Sequence, residues 1–215
     1  MAKYDVTIHV DSPLSLGGGQ GDVNVDSDVI HDEYGMPYFP AKRLRGLLYE
    51  SAVEVTEMAE LCGKQILTKR CVDELFHHVE DTPVRLVIHN FYLEGYEEMR
   101  SEWAYIQRKF KEYIRPEQVL EAYTSLRYQT AIDEETGVAK DHSLRNIRVV
   151  DGPLTFTGTI EIQNGTDDHV RTLALALQNL RSAGQKRNRG FGKITCYMND
   201  QEKHVTEALK EGGAL

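Results

Sequence analysis

The chain has 215 residues, 40% hydrophobic and 27% charged, with a formal net charge of −9. That length suits one substantial core, or one core carrying a large insertion, and three cysteines are too few and too odd in number for a disulfide framework. No apolar run reaches the length that crosses a bilayer, and Met1 to Val10 alternates polar and apolar residues where a signal peptide has an apolar centre, so a cytoplasmic protein with no membrane partner is predicted.

Tyr4, Val6, Ile8 and Val10 alternate with polar residues and predict a first strand. Ser12 and Pro13 break it, and Gly17-Gly18-Gly19 opens a flexible loop. Pro40 starts a helix with Leu44, Leu47, Leu48, Ala52, Val55 and Ala59 on one face. Val84, Leu86 and Ile88 predict a second strand, and Leu154 to Ile162, alternating with Thr155, Thr157, Thr159 and Glu161, a third. A helix bearing Val170, Leu173, Ala174, Leu177 and Leu180 follows, then a last strand through Ile194, Cys196 and Met198.

Strand, helix, strand, repeated twice, is the ferredoxin-like (RRM-like) βαββαβ order of an α+β protein. The predicted organisation is a single domain with its core in residues 1–93 and 151–200. An insertion over about 94–150 begins with a helix marked by Met99, Trp103, Ile106 and Phe110. It ends in a hairpin whose turn is Asp133-Glu134-Glu135-Thr136-Gly137, and residues 201–215 read as an exposed charged tail. The fold order alone decides no function, and the third strand offers threonines where an RNA-stacking sheet offers aromatics.

The acidic net charge hides a polarised distribution. Arg181 to Met198 holds Arg181, Lys186, Arg187, Arg189 and Lys193 with no acid. Within it, Ala183 to Lys193 is a loop between helix and strand whose glycines expose backbone N–H groups to a phosphate while Lys and Arg supply charge. The competing reading is a solvated basic turn. A second cluster, Lys42, Arg43 and Arg45, sits in the first turns of the Pro40 helix, where cations oppose the macrodipole unless an anion binds there.

Two metal readings have gaps. Cys62 and Cys71 with His77 or His78 make an incomplete zinc set. Asp22, Asn24, Asp26 and Glu33 have calcium-loop spacing, but Ser27 replaces the turn glycine and no helix precedes. His9, His31, His89 and His142 are each general-base candidates with no visible partner.

Gly17-Gly18-Gly19, Asp26-Ser27-Asp28-Val29-Ile30-His31-Asp32, Gly35-Met36-Pro37-Tyr38-Phe39-Pro40 and Leu44-Arg45-Gly46 together resemble the N-terminal pattern of RAMP-superfamily CRISPR proteins, in particular the backbone subunit of type III effector complexes. Ala131-Ile132-Asp133 to Thr136-Gly137-Val138-Ala139, leading to Leu144-Arg145, resembles that family's thumb hairpin. Gly184 to Gly192 resembles its C-terminal glycine-rich loop. The departures are Asp28 where the family often has proline and Lys42-Arg43 where it often has serines.

The resemblance implies guide crRNA, target RNA, copies of the same chain and other CRISPR effector subunits as partners, in antiviral defence. It implies endoribonuclease activity within the assembled complex. Asp26 takes the position of the catalytic aspartate, with Mg²⁺ or another divalent ion as its candidate cofactor. Gly18, Gly19, Lys42, Arg43, Arg45, Gly184, Lys186, Arg187, Arg189, Gly190 and Phe191 fall on the RNA-binding elements, and Arg127, Arg145 and Arg148 are candidate thumb contacts. Three other readings stay open: a guide-processing endoribonuclease of the same superfamily, a non-catalytic RNA-binding assembly subunit, and an unrelated ferredoxin-like small-molecule protein.

Overall fold

The computed structural model describes residues 2–18, 26–77, 79–80, 82–110, 112–133 and 135–213. Gly19, Asp22, Asn24, His78 and Glu134, each part of a reading above, lie outside the described residues.

Period-two alternation gives β1 (Ala2–Val10) and β6 (Leu154–Gln163), which pair antiparallel along their whole length, Ala2 opposite Ile162 and Val10 opposite Leu154. β2 (Arg85–Ile88) and the two-residue β3 (Tyr92–Leu93) pair with the other edge of β6, and β7 (Ile194–Met198) with the free edge of β1. The sheet order is β2-β6-β1-β7, antiparallel at every pairing. A second sheet joins β4 (Thr124–Gln129) to β5 (Arg145–Val150).

α1 (Ala41–Leu61) and α5 (Asp167–Asn179) contact each other and share one core cluster with the apolar side of the large sheet. Leu44, Leu48 and Ala52 of α1 and Leu173, Ala174 and Leu177 of α5 are almost wholly buried against Val6, Ile8, Phe156 and Ile160. Phe39 and Phe91 exchange backbone hydrogen bonds of 2.8 and 2.9 Å, and both rings are fully buried beside Phe156. Burying a ring of this size contributes about 2–3 kcal/mol, more than an exposed ion pair does. The trio therefore pins the approach to α1 and, with it, the cations of its first turns.

Three elements depart from the sequence expectations. α2 (Lys69–Phe76), N-capped by Thr68, which accepts from Cys71 N at 3.2 Å, was not anticipated. The insertion holds two helices, α3 (Tyr96–Lys109) and α4 (Pro116–Tyr123), before its hairpin. The expected charged tail is instead α6 (Gln201–Glu211), whose Ala208 is buried with Leu67 and Leu175. Gln201 accepts from Met198 N at 2.8 Å and donates to Gln178 at 2.7 Å. One short apolar stripe, Val205 and Ala208, was outweighed in composition by the charges on the helix's other faces.

Among the described residues no helix is long and apolar enough to cross a membrane, and no group of three or more His, Cys, Asp or Glu side chains is placed to hold a metal ion. Cys62 is exposed, whereas Cys71 is buried with Sγ 3.3 Å from Thr172 Oγ1. Burial pushes the Cys71 thiol up and the Cys196 thiol up to about 12, which suits packed thiols and not metal-binding thiolates.

Candidate nucleic-acid interface

The glycine-rich loop is built in two parts. Its base is locked to the chain leaving β1: Gly192 N donates to Pro13 O (2.8 Å), Gln185 N to Ser15 O (3.1 Å) and Lys193 N to Ser12 Oγ (2.8 Å). Gly192, at φ +74°, allows this closure because a Cβ there would stand 1.9 Å from Ala183 O. The tip turns out into solvent through Lys186 (φ 60°), a short 3₁₀ turn at Arg187–Arg189 and Gly190 (φ 80°). A left-handed backbone at a lysine is uncommon and costly, so the tip holds its cations in a shape that the sequence alone does not favour.

These features separate two kinds of glycine. Gly192→Ala should lower stability by clearly more than the roughly 1–3 kcal/mol of backbone strain, because the clash adds to it. Gly190→Ala, where a Cβ meets nothing within 4 Å, should show the strain alone. Denaturant midpoints of the two variants check this, and equal losses would count against the tight base described here.

Across from the tip stands the hairpin of β4 and β5. Its far end closes as the sequence predicts: Gly137 N donates to Asp133 O, and the Asp133 carboxylate accepts from Glu135 N, Thr136 N and Thr136 Oγ1. Those bonds, the one from Thr136 N foremost, hold the Asp133 carboxyl below its ordinary range. Between the turn-side end of β4 and β5 and the loop tip lies a cleft of about 760 Å³ lined by Gln129, Thr130, Ser143, Arg145, Lys186 and Arg189, with Ala131 and Ile132 on its hairpin side. Among the described residues no carboxylate lines it. Lys186 Nζ donates to Gln129 Oε1. Burial first, then the charges of Arg189 and Arg145, pull the Lys186 ammonium below its usual pKa. Three cations held together against their repulsion make a site that an anion would relax.

The first turns of α1 join the same surface through one side chain. Arg43 donates to Gly17 O, and a Cβ on Gly17 would stand 2.9 Å from Ser27 Oγ and 3.3 Å from Gln185 Nε2. Arg43, the Gly17–Gly18 segment, Ser27 and the glycine-rich loop therefore meet at one point. Gly18 N donates to Asp28 O at 2.7 Å and Ile30 N to Leu16 O at 3.0 Å, so residues 26–30 lie alongside residues 16–18. Lys42 is exposed at the start of α1, which carries no acid in its first turn and whose Ala41 N–H is capped by Asn90 Oδ1 at 2.9 Å.

Other candidates are placed differently. Arg45 turns away from this surface: its guanidinium donates twice to Phe76 O, at 3.0 and 2.8 Å, and once to Leu86 O at 3.3 Å. It caps the C-terminal end of α2, which the helix dipole favours, and ties α2 to β2. That geometry corrects its reading as a phosphate contact. Arg148 is 14% exposed, with Nε 2.9 Å from Asp28 Oδ1 and Nη1 donating to Thr124 Oγ1 at 3.3 Å. The Nε–H is poorly aligned for a hydrogen bond, so the Asp28 contact is chiefly a close ion pair. Arg127 is half exposed, 3.8 Å from Asp151, and Arg187 lies 3.6 Å from Glu50. Gly184 and Phe191 belong to the loop's base, Gly184 beside Ser15 O.

Asp26 is exposed and bound to β5 by a reciprocal pair: Asp26 N donates to Asn146 Oδ1 (2.9 Å) and Asn146 N to Asp26 Oδ2 (2.8 Å). Glu33, the last member of the calcium-loop spacing, stands in the separate turn at Asp32–Gly35, where Asp32 Oδ1 accepts from Tyr34 N and Met36 N. Sequence reasoning missed Asn146, Gln129 and Ser143. Uncharged polar residues on a hairpin carry no spacing signal, and only the fold shows what they face.

A family model described as RAMPs, the RAMP superfamily, matches residues 7–195. Among solved structures, one of the type III-B Cmr-beta bound to cognate target RNA contains a chain that superimposes with a TM-score of 0.66 at 11% identity, covering 95% of this chain and 99% of that one. The apo state of Cmr-beta gives a TM-score of 0.64 at 11% identity, covering 92% and 97%. No curated protein matches the sequence.

Proposed function

The chain belongs to the RAMP superfamily, and we propose that it is a guide-RNA-binding backbone subunit of a cytoplasmic type III CRISPR effector complex that cuts target RNA paired to the guide. The observation that carries this reading is the cleft in which Arg145, Lys186 and Arg189 converge beside an exposed glycine-rich tip. The sheet order β2-β6-β1-β7, with α1 and α5 as its crossovers, is read here as a ferredoxin-like core, and the β4–β5 hairpin as its inserted thumb.

On this reading the guide backbone lies across Lys42, Arg43, Lys186, Arg189 and Arg145, held by charge and exposed N–H groups with no base read directly. Copies of the chain repeat that grip along the guide, flanked by other effector subunits. The thumb wedges into the guide–target duplex and displaces a target nucleotide toward Asp26. Out of the A-form helix, the target's 2′-oxygen can line up with the adjacent phosphorus. It attacks with loss of its proton, the bond from phosphorus to the 5′-oxygen breaks, the departing oxygen takes a proton from water, and the products are a 2′,3′-cyclic phosphate and a 5′-hydroxyl. The Asp26 carboxylate assists by taking the 2′-hydroxyl proton or by holding a divalent ion. Asp26 would hold such an ion without help from its neighbour Asp28, which is engaged by Arg148 and Val29 N. When bound it would supply charge stabilisation at the phosphate.

The binding half of the proposal is tested by titrating the chain with single-stranded RNA over a salt series. Three to five neutralised phosphates predict that log K falls with log salt at a slope of about −2 to −3.5. A slope near zero would remove the claim.

A further inference from the structure

β5 has two partners. One edge pairs with β4, Arg145 opposite Gln129 through Val150 opposite Thr124. The other edge carries the segment that bears Asp26, in matched steps. Asp26 and Asn146 exchange two hydrogen bonds, Ser27 bridges Ile147 and accepts from Arg148 N at 3.0 Å, and Asp28 faces Arg148 at 2.9 Å. Two residues further along, Leu14 and Val150 exchange backbone hydrogen bonds of 2.8 Å each. Residues 26–28 therefore run alongside β5, joined to it by one β-bridge at Ser27 and by side-chain contacts on either side.

Ile147 and Val149 are buried and fix the rotation of β5, so residue 146 has to face outward beside residue 26. At that position an ordinary hydrophobic or long charged side chain would offer nothing to the Asp26 N–H. Asparagine supplies the acceptor, while its own N–H holds one oxygen of the Asp26 carboxylate. Both ends of residue 26 are thereby oriented by one residue of the thumb strand.

We propose that Asn146 is the positioning residue of Asp26, and that this register on β5 makes the thumb and the carboxylate move as one body, so that insertion of the hairpin into a duplex delivers Asp26 to the displaced nucleotide. This rests on the reading of Asp26 as the cleaving carboxylate. Neither residue is itself among the side chains that line the cationic cleft, so guide binding and positioning can be measured separately.

The test uses the assembled complex with guide and complementary target RNA, comparing wild type, Asn146→Leu, Asn146→Asp and Asp26→Ala. Leucine keeps the volume and the strand but loses the acceptor, whereas aspartate keeps an acceptor oxygen. Asn146→Leu should cut saturating target about tenfold or more slowly. The target concentration for half-maximal rate, and guide affinity, should stay within about twofold of wild type. Asn146→Asp should recover most of the lost rate. Wild-type cutting by Asn146→Leu overturns the positioning role, as does equal loss in both Asn146 variants or loss accompanied by weaker target binding, which marks general damage to β5. Wild-type cutting by Asp26→Ala overturns the catalytic reading itself, whatever the Asn146 variants do.

Discussion

Single-stranded RNA is expected to bind a Lys186→Glu, Arg189→Glu chain about 100-fold more weakly than wild type near physiological salt, with a salt slope shallower by about 1.4. The slope change follows from two lost phosphate contacts at about 0.7 each on a single strand. The affinity loss is larger than deletion would give, because each reversal also places a carboxylate where a phosphate should lie. The cleft amplifies the effect: Arg145 and the two substituted positions face one shared space, so repulsion acts over one RNA segment. Arg187→Glu should cost less, since Arg187 stands partly neutralised beside Glu50 at the surface. Arg45→Gln is the control. Its guanidinium serves Phe76 O and Leu86 O, so the loss should appear in thermal stability while RNA affinity stays unchanged. Fluorescence anisotropy at several salt concentrations measures all three. Equal binding by the double variant would leave the loop as a bland turn.

In the assembled complex, Asp26→Asn is expected to reduce target cutting by about 10²- to 10⁴-fold, the range that a placed proton-transfer group contributes. The change keeps the shape and an acceptor for the Asn146 N–H, and it removes only the charge and the ability to take a proton. Asp26 is exposed and its pair with Asn146 amounts to two surface hydrogen bonds, so even Asp26→Ala should cost only about 1–2 kcal/mol of stability. Guide binding and assembly should therefore survive. Cleavage measured at saturating target, with native gels to confirm assembly, separates the two contributions. Cutting by Asp26→Asn at the wild-type rate would leave the chain as an RNA-binding assembly subunit.

Much of the large sheet was legible because its residues obey a local rule. Tyr4 to Val10 and Leu154 to Ile162 alternate every second residue, and α5 repeats its apolar face every three or four, so periodicity suffices to find them. α6 was illegible for the opposite reason, its stripe being two residues among five charged ones. α1 was found, yet the cations of its first turns divide in a way that spacing does not reveal. Arg43 reaches Gly17 O beside the glycine-rich loop and Lys42 stands exposed at the helix start, while Arg45 reaches the end of α2, an element with no partner visible in sequence. The same holds for Arg148, whose charge is matched by Asp28 from more than a hundred residues away.

What the amino-acid sequence determined alone is the order of the main elements and the places where glycine and positive charge coincide, because both are written in adjacent residues. Which of those charges face a common cleft, and that Asp26 is tied to β5 through Asn146, was decided only when the chain closed on itself. Those contacts join residues 26 to 146 and 186 to 129. Their partners are set by the packing of buried side chains such as Ile147 and Val149, and not by any local preference of the polar groups themselves.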